Sequence, residues 1–254
     1  MNFTGVHATG GSLGVTDRAE PLRLAPMTRT VHIICHTHWD REWYRTFQSF
    51  RMELVELVDE TMKVLETDAE YRHFMLDGQM AVVDDYLEIA PANQARLGRL
   101  AEAGRLMMGP WYILMDEFGV SGETIVRNLA KGIDRAEDFG GAMDVGYLPD
   151  MFGHIAQMPQ ILRSFGFADT VVWRGVPASC TDSASFAWTA PDGSTVRAQY
   201  LPRGYGNGVG LPPDAAALIR RVELFCAQTH KASGGDGDPV LWMHGTDHRH
   251  PIPA

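Results

Sequence analysis

Thr30-Val31-His32-Ile33-Ile34-Cys35-His36-Thr37-His38-Trp39-Asp40 is the stretch on which the fold turns. Its first six residues are β-branched and apolar between polar neighbours, the composition of a buried strand. The next segment places Leu54, Val55, Val58, Met62 and Leu65 at helical spacing, which predicts a helix over 50–65. Working outward, a strand is expected at 73–76, then a helical stretch over 79–103 that Pro91 breaks or restarts, because proline lacks the donor and crowds the preceding turn. Strands follow at 105–108, 145–148, 170–173, 195–201 and 240–243. Helices are expected over 122–139, 155–165 and 214–229, the first two stopped by Gly140-Gly141 and Gly166. Strands alternating with helices point to an α/β fold of mostly parallel strands with covering helices.

Folds of that kind gather their chemistry at the carboxyl ends of the strands. Ionisable residues cluster at those ends: the His36–Asp40 segment after the first strand, Asp77 after the second, Asp116-Glu117 shortly after the third. Asp150, Arg174 and Asp247-His248 follow later ones.

Composition limits the partners. The 254 residues carry a net charge of −10 with no Lys/Arg cluster, which excludes the basic footprint of a nucleic-acid binder. No apolar run approaches the roughly 18 residues that span a bilayer, so no membrane association is expected. Cys35, Cys180 and Cys226 are an odd count without CxxC spacing, which argues against a disulfide framework and for a reducing cytoplasm. Residues 1–28 read as a disordered N-terminal extension: few bulky apolar residues surround Gly10, Gly11 and Gly14, and no secretory pattern is present. Met27 is an alternative start.

Two imidazoles and a carboxylate at His36, His38 and Asp40 are suitable ligands for a borderline cation such as zinc. Residues two apart in an extended segment point the same way, so His38 and Asp40 could share one ion. The plainer alternative is a satisfied core histidine and a turn aspartate. Asp150 and Asp247 could supply the carboxylate pair of glycoside cleavage, although Pro149-Asp150 is also a common turn dipeptide. Trp39, Trp43, Trp111, Tyr112 and Phe152 flank these groups, as sugar-stacking faces or as core.

These motifs, in this order, resemble glycoside hydrolase family 38, the zinc-dependent α-mannosidases. His36-Thr37-His38-Trp39-Asp40-Arg41-Glu42-Trp43 is similar to the first motif in its bacterial form, and Asp150-Met151-Phe152-Gly153-His154 to the nucleophile motif. The resemblance implies an irregular (β/α) barrel-like domain over 29–254, the N-terminal catalytic part of a longer architecture with a helical bundle and β-rich domains. It implies one zinc ion, or another divalent metal, held by His38, Asp40 and Asp150. Asp150 would double as the nucleophile, and Asp247 would be the acid/base, within a Gly-Thr-Asp-His pattern that departs from the eukaryotic form. Trp43, Phe152, Arg174 and His36 would contact the substrate, an α-mannoside or mannose-containing oligosaccharide, in an enzyme that could form a homo-oligomer. The family completes its zinc site with a histidine from beyond the bundle. His248 and His250 are the in-chain alternatives, and without such a ligand a fragment of low or no activity is expected. Two rivals stand beside this reading: a metal-dependent deacetylase or amidohydrolase, and a non-catalytic sugar-binding remnant.

Overall fold

The computed structural model describes residues 30–177, 179, 184–229 and 239–252. The expected N-terminal extension at 1–28 and Cys180 lie outside them. The elements are β1 (Val31–Thr37), α1 (Phe47–Thr67), β2 (Phe74–Leu76), α2 (Ala81–Leu87), α3 (Gln94–Glu102), β3 (Leu106–Met107) and α4 (Gly122–Glu137). They continue with β4 (Gly146–Leu148), α5 (Met158–Ser164), β5 (Asp169–Val172), β6 (Ser185–Thr189), β7 (Thr195–Tyr200), α6 (Ala215–Gln228) and β8 (Val240–His244). The long helical stretch breaks where Pro91 stands, with a 3-10 turn at Pro91–Asn93 between α2 and α3.

The strands form two four-stranded sheets, β3-β2-β1-β8 and β4-β5-β7-β6. The first is wholly parallel, and so are the β4–β5 and β5–β7 pairings of the second. The α/β expectation of mostly parallel strands with covering helices therefore holds. β6 is the departure. It had no counterpart among the expected strands, and it pairs antiparallel with β7 across the turn at Pro191-Asp192-Gly193. Its side chains are half-buried or exposed, so it lacks the apolar run that marks the parallel strands.

Side-chain alternation divides the core. Phe74, Leu76 and Leu106 face outward onto α1–α3, burying Phe50, Leu54, Leu57 and Met62 of α1. Leu148, Val172, Val196 and Ala198 face α4 and α5. Val240 and Trp242 face Phe225 of α6. The opposite parity, Ile34, Met75, Met107, Tyr147, Val171 and Met243, forms one inner cluster drawn from six strands of both sheets. Apolar packing thus fills the space between two parallel arcs, the barrel-like arrangement, and directs the same inward parity toward the strand ends. Among the described residues no helix is long and apolar enough to cross a membrane.

Candidate active site

Inward parity carried past the strand ends brings the site together. On β1 it runs Ile34, His36, His38; on β2, Met75 and Asp77; on β8, Met243, Gly245 and Asp247. Beyond its last regular pair the β1–β8 ladder continues: the His38 N–H donates to the Thr246 carbonyl (3.1 Å) and the His248 N–H to the His38 carbonyl (2.8 Å). Asp247 thereby becomes the bridge partner of His38. Close approach here needs Gly245, because a Cβ at that position would lie 1.8 Å from the His36 carbonyl oxygen. Gly245→Ala is expected to cost on the order of 1–3 kcal/mol or more by forcing two backbones apart. Denaturant unfolding measures that cost.

His38 is buried at 3% exposure. Its Nδ1 lies 3.0 Å from Asp77 Oδ1. Asp77 is fully buried, its second oxygen accepting the Trp39 N–H at 2.7 Å and the Gln79 amide at 3.0 Å. A carboxylate behind the ring is the usual way a ligating histidine is oriented. The other ring nitrogen, Nε2, is buried with no hydrogen-bond partner. It faces Asp40 Oδ1 at 3.6 Å and Asp150 Oδ2 at 3.7 Å. Ligand atoms sharing one small cation lie roughly 3–4 Å apart, so an ion fits where a hydrogen bond does not. His38, Asp40 and Asp247 each present a ligand atom within 4.8 Å of the others. One nitrogen with several carboxylate oxygens suits zinc and related divalent ions.

Electrostatics agree with that donor set. Burial opposes a proton on His38, but the Asp77 and Asp40 carboxylates outweigh it and hold the imidazole well above its ordinary range. Asp40 is itself held low: burial works against its charge, and the neighbouring His38 prevails. Burial pushes the Asp150 carboxyl up against the pull of His38 and Arg174, and the neighbouring Asp40 and Asp247 add to the push. Three acids crowd one spot, a condition that a cation relieves.

Asp150 Oδ1 lies 2.7 Å from Arg174 Nε. The two charges are paired in distance, yet the N–H does not point along that line, and neither atom makes a well-aligned hydrogen bond. The Arg174 guanidinium lies over the rings of Phe152 (4.7 Å) and Trp173 (4.3 Å). Trp43 and Phe152 are both 66% exposed, whereas Trp39 and Trp111 are core. Trp43 abuts Tyr44, which reaches His248.

His36 is not brought into the cluster. It is buried, with Nε2 2.8 Å from the Tyr205 carbonyl and Nδ1 3.0 Å from its neighbour's carbonyl, and burial pushes its pKa down. Its ring fixes the 205 loop rather than facing the opening. His248 and His250, the in-chain alternatives for a further ligand, both have other partners. His248 spends its nitrogens on Tyr44 (3.2 Å) and the Asp40 carbonyl (3.1 Å), while exposed His250 pairs with Glu60.

Tyr205 belongs to the site although no motif pointed to it. Its ring stacks on His38 at 4.4 Å and its hydroxyl donates to Asp247 Oδ1 at 2.9 Å. Burial, then the charges of Asp150 and Asp247, keep its phenol protonated well above the ordinary range. Asp77 and Glu117 were expected among the strand-end acids but without a role, and Gln79 was not singled out.

Comparison with known proteins finds relatives among the glycosidases. "Putative mannosylglycerate hydrolase" of Halalkalibacterium halodurans is 37% identical over 242 residues, covering 88% of this chain and 26% of that protein. "Alpha-mannosidase 2C1" of Mus musculus is 25% identical over 76% of this chain and 18% of its own length. The crystal structure of an alpha-mannosidase from Enterococcus faecalis V583 superposes with a TM-score of 0.82 at 32% identity, over 88% of this chain and 26% of that one. The chain spans about a fifth to a quarter of the length of these relatives. Residues 28–253, which include every strand and every ligand candidate above, match the glycosyl hydrolases family 38 N-terminal domain, and the chain belongs to that family.

Proposed function

We propose that this domain carries out zinc-dependent, retaining hydrolysis of terminal α-mannosides, with residues 29–254 forming the N-terminal catalytic part. One observation carries the reading: Asp150 Oδ2 lies 3.7 Å from a buried His38 nitrogen that has no hydrogen bond, and Asp40 and Asp247 bring carboxylate oxygens within 4.8 Å of the same ring. The 37% identical relative named for mannosylglycerate favours a small mannoside over a large glycan as substrate. A reducing cytoplasm is the compartment that suits thiols at Cys35 and Cys226.

His38, Asp40 and Asp150 would hold the metal. Bound zinc supplies Lewis-acid charge that orients adjacent sugar hydroxyls and favours the oxocarbenium-like ring. Asp150 attacks the anomeric carbon as its carboxylate, the form that the Arg174 charge 2.7 Å from its Oδ1 favours. Asp247, oriented by the Tyr205 hydroxyl, donates a proton to the leaving oxygen. In the second step Asp247 takes a proton from water as the glycosyl–Asp150 ester is hydrolysed. Trp43 and Phe152 offer exposed apolar faces to the sugar, and closed-off Trp39 and Trp111 hold the frame.

Asp247 cannot be both ligand and acid. In the proposed assignment Asp247→Asn keeps its zinc and loses turnover by about 10²–10⁴-fold, the usual scale of general acid–base catalysis. Loss of zinc with loss of turnover would instead make Asp247 a ligand. The reading as a whole is tested by zinc content per chain and turnover of an aryl α-mannoside, measured on this chain and on its whole natural reading frame. Stoichiometric zinc with turnover supports it. Zinc without glycosidase activity in either favours a metal-dependent deacetylase or amidohydrolase, and neither zinc nor turnover a sugar-binding remnant.

A further inference from the structure

Glu117 is a carboxylate with no part in the reaction just described, yet its side chain is at 0% exposure. Burying a charge is costly unless it is paired and hydrogen-bonded, and the pairing here leads to the nucleophile. Glu117 stands in the 3-10 turn Glu117–Gly119 between β3 and α4. Its Oε1 lies 2.7 Å from His154 Nδ1, and its Oε2 accepts the Ile155 N–H at 2.8 Å. The other nitrogen of His154 lies 2.9 Å from the backbone carbonyl of Arg174. Arg174 in turn reaches Asp150.

The two loops that this chain of contacts joins, after β4 and after β5, are pressed together. Gly175, at φ +73°, packs so closely that a Cβ there would lie 2.7 Å from Gly153 Cα. Phe118 also packs on Gly153, where a Cβ would lie 2.0 Å from its ring. The Arg174 side chain is one-third exposed and lies over the rings of Phe152 and Trp173. Its backbone is fixed by His154, and His154 by Glu117.

We propose that Glu117 and His154 are positioning residues: they clamp the β4 and β5 loops together and so set Arg174 against Asp150. This rests on the assignment of Asp150 as nucleophile. The clamp acts on placement of the carboxylate rather than on sugar binding, so its loss falls on the rate of the chemical step. A misplacement of about 1 Å at a reacting group can cost 10²-fold.

The test uses the protein in its whole reading frame, with kcat, KM and melting midpoint recorded for Glu117→Ala, Glu117→Gln, His154→Ala, Arg174→Ala and the Glu117→Ala/Arg174→Ala pair. Glu117→Ala is expected to lower kcat on the order of 10²-fold with KM changed by less than about 3-fold. Glu117→Gln keeps most of the rate, because the amide carbonyl accepts the Ile155 N–H while its NH₂ donates to a neutral imidazole. On the Arg174→Ala background, Glu117→Ala costs little more, since the route through Arg174 is already cut. The same fold-loss on both backgrounds, or a lower melting midpoint with unchanged kcat, overturns the proposal as a purely structural role. If Glu117→Ala does not fold, His154→Ala, which leaves the Ile155–Glu117 bond in place, is measured alone and on the Arg174→Ala background with the same two outcomes. A parent protein that hydrolyses no α-mannoside overturns the Asp150 assignment itself, and the clamp with it.

Discussion

Asp150→Asn is expected to lower turnover of an activated α-mannoside by on the order of 10⁴-fold or more, the scale on which enzymes lose rate when a covalent nucleophile is removed. Asparagine fills nearly the same volume, so packing gives no reason for the loss. What disappears is the attacking oxygen and the charge that Arg174 faces at 2.7 Å. Stability should move the other way. The Asp150 carboxyl is held above its ordinary range, chiefly by burial. A group whose folded pKa is raised is destabilising once pH exceeds its unfolded value, because folding then disfavours the ionised form. A neutral amide escapes that cost, and the metal-free Asp150→Asn protein should melt no lower than the metal-free parent at neutral pH. A variant that is inactive and also strongly destabilised would mean that Asp150 acts in folding rather than in attack.

Asp77→Ala carries the second large effect. Asp77 touches no substrate in the proposed mechanism, but it takes three hydrogen bonds behind the site, from His38, the Trp39 backbone and Gln79. Without it the His38 ring is free to turn and to shift tautomer. Metal affinity is expected to weaken 10- to 100-fold, on the order seen when an outer partner of a ligating histidine is removed. The Trp39 N–H loses its buried acceptor, which adds roughly 1–3 kcal/mol of lost stability. Competition against a chromophoric chelator reads the first quantity and denaturant unfolding the second. Unchanged zinc affinity in a folded variant would show that Asp77 supports the backbone alone.

Much of this arrangement was legible in the residues. The strand–helix alternation, the break at Pro91 and the acids at strand ends are local signals, set by side-chain period and by the chemistry of proline. His38, Asp77 and Asp247 share the inward parity of Ile34, Met75 and Met243, so their meeting follows from counting by twos once the strands are adjacent. His36 shares that parity too, and counting could not separate it from His38. The separation is tertiary, because one pleat lower the Tyr205 carbonyl takes its ring. Tyr205 itself was illegible: it lies in a glycine-rich loop without period, 42 residues before the carboxylate it bonds. Glu117 was read as an acid near a strand end, but the partner that gives it meaning, His154, is 37 residues away. Trp111 and Trp43 flank acids equally, and only the fold makes one of them core and leaves the other 66% exposed.

The central claim is that Asp150 forms a bond to the sugar. The direct measurement is the mass of the peptide containing Asp150 after reaction of the whole protein, with zinc, with a fluorinated mannoside that slows breakdown of a glycosyl ester. The account predicts one added fluoroglycosyl mass on Asp150, absent from Asp150→Asn and slowed when zinc is removed. Turnover of α-mannosides without any adduct on Asp150, or an adduct on another carboxylate such as Asp247, would contradict it.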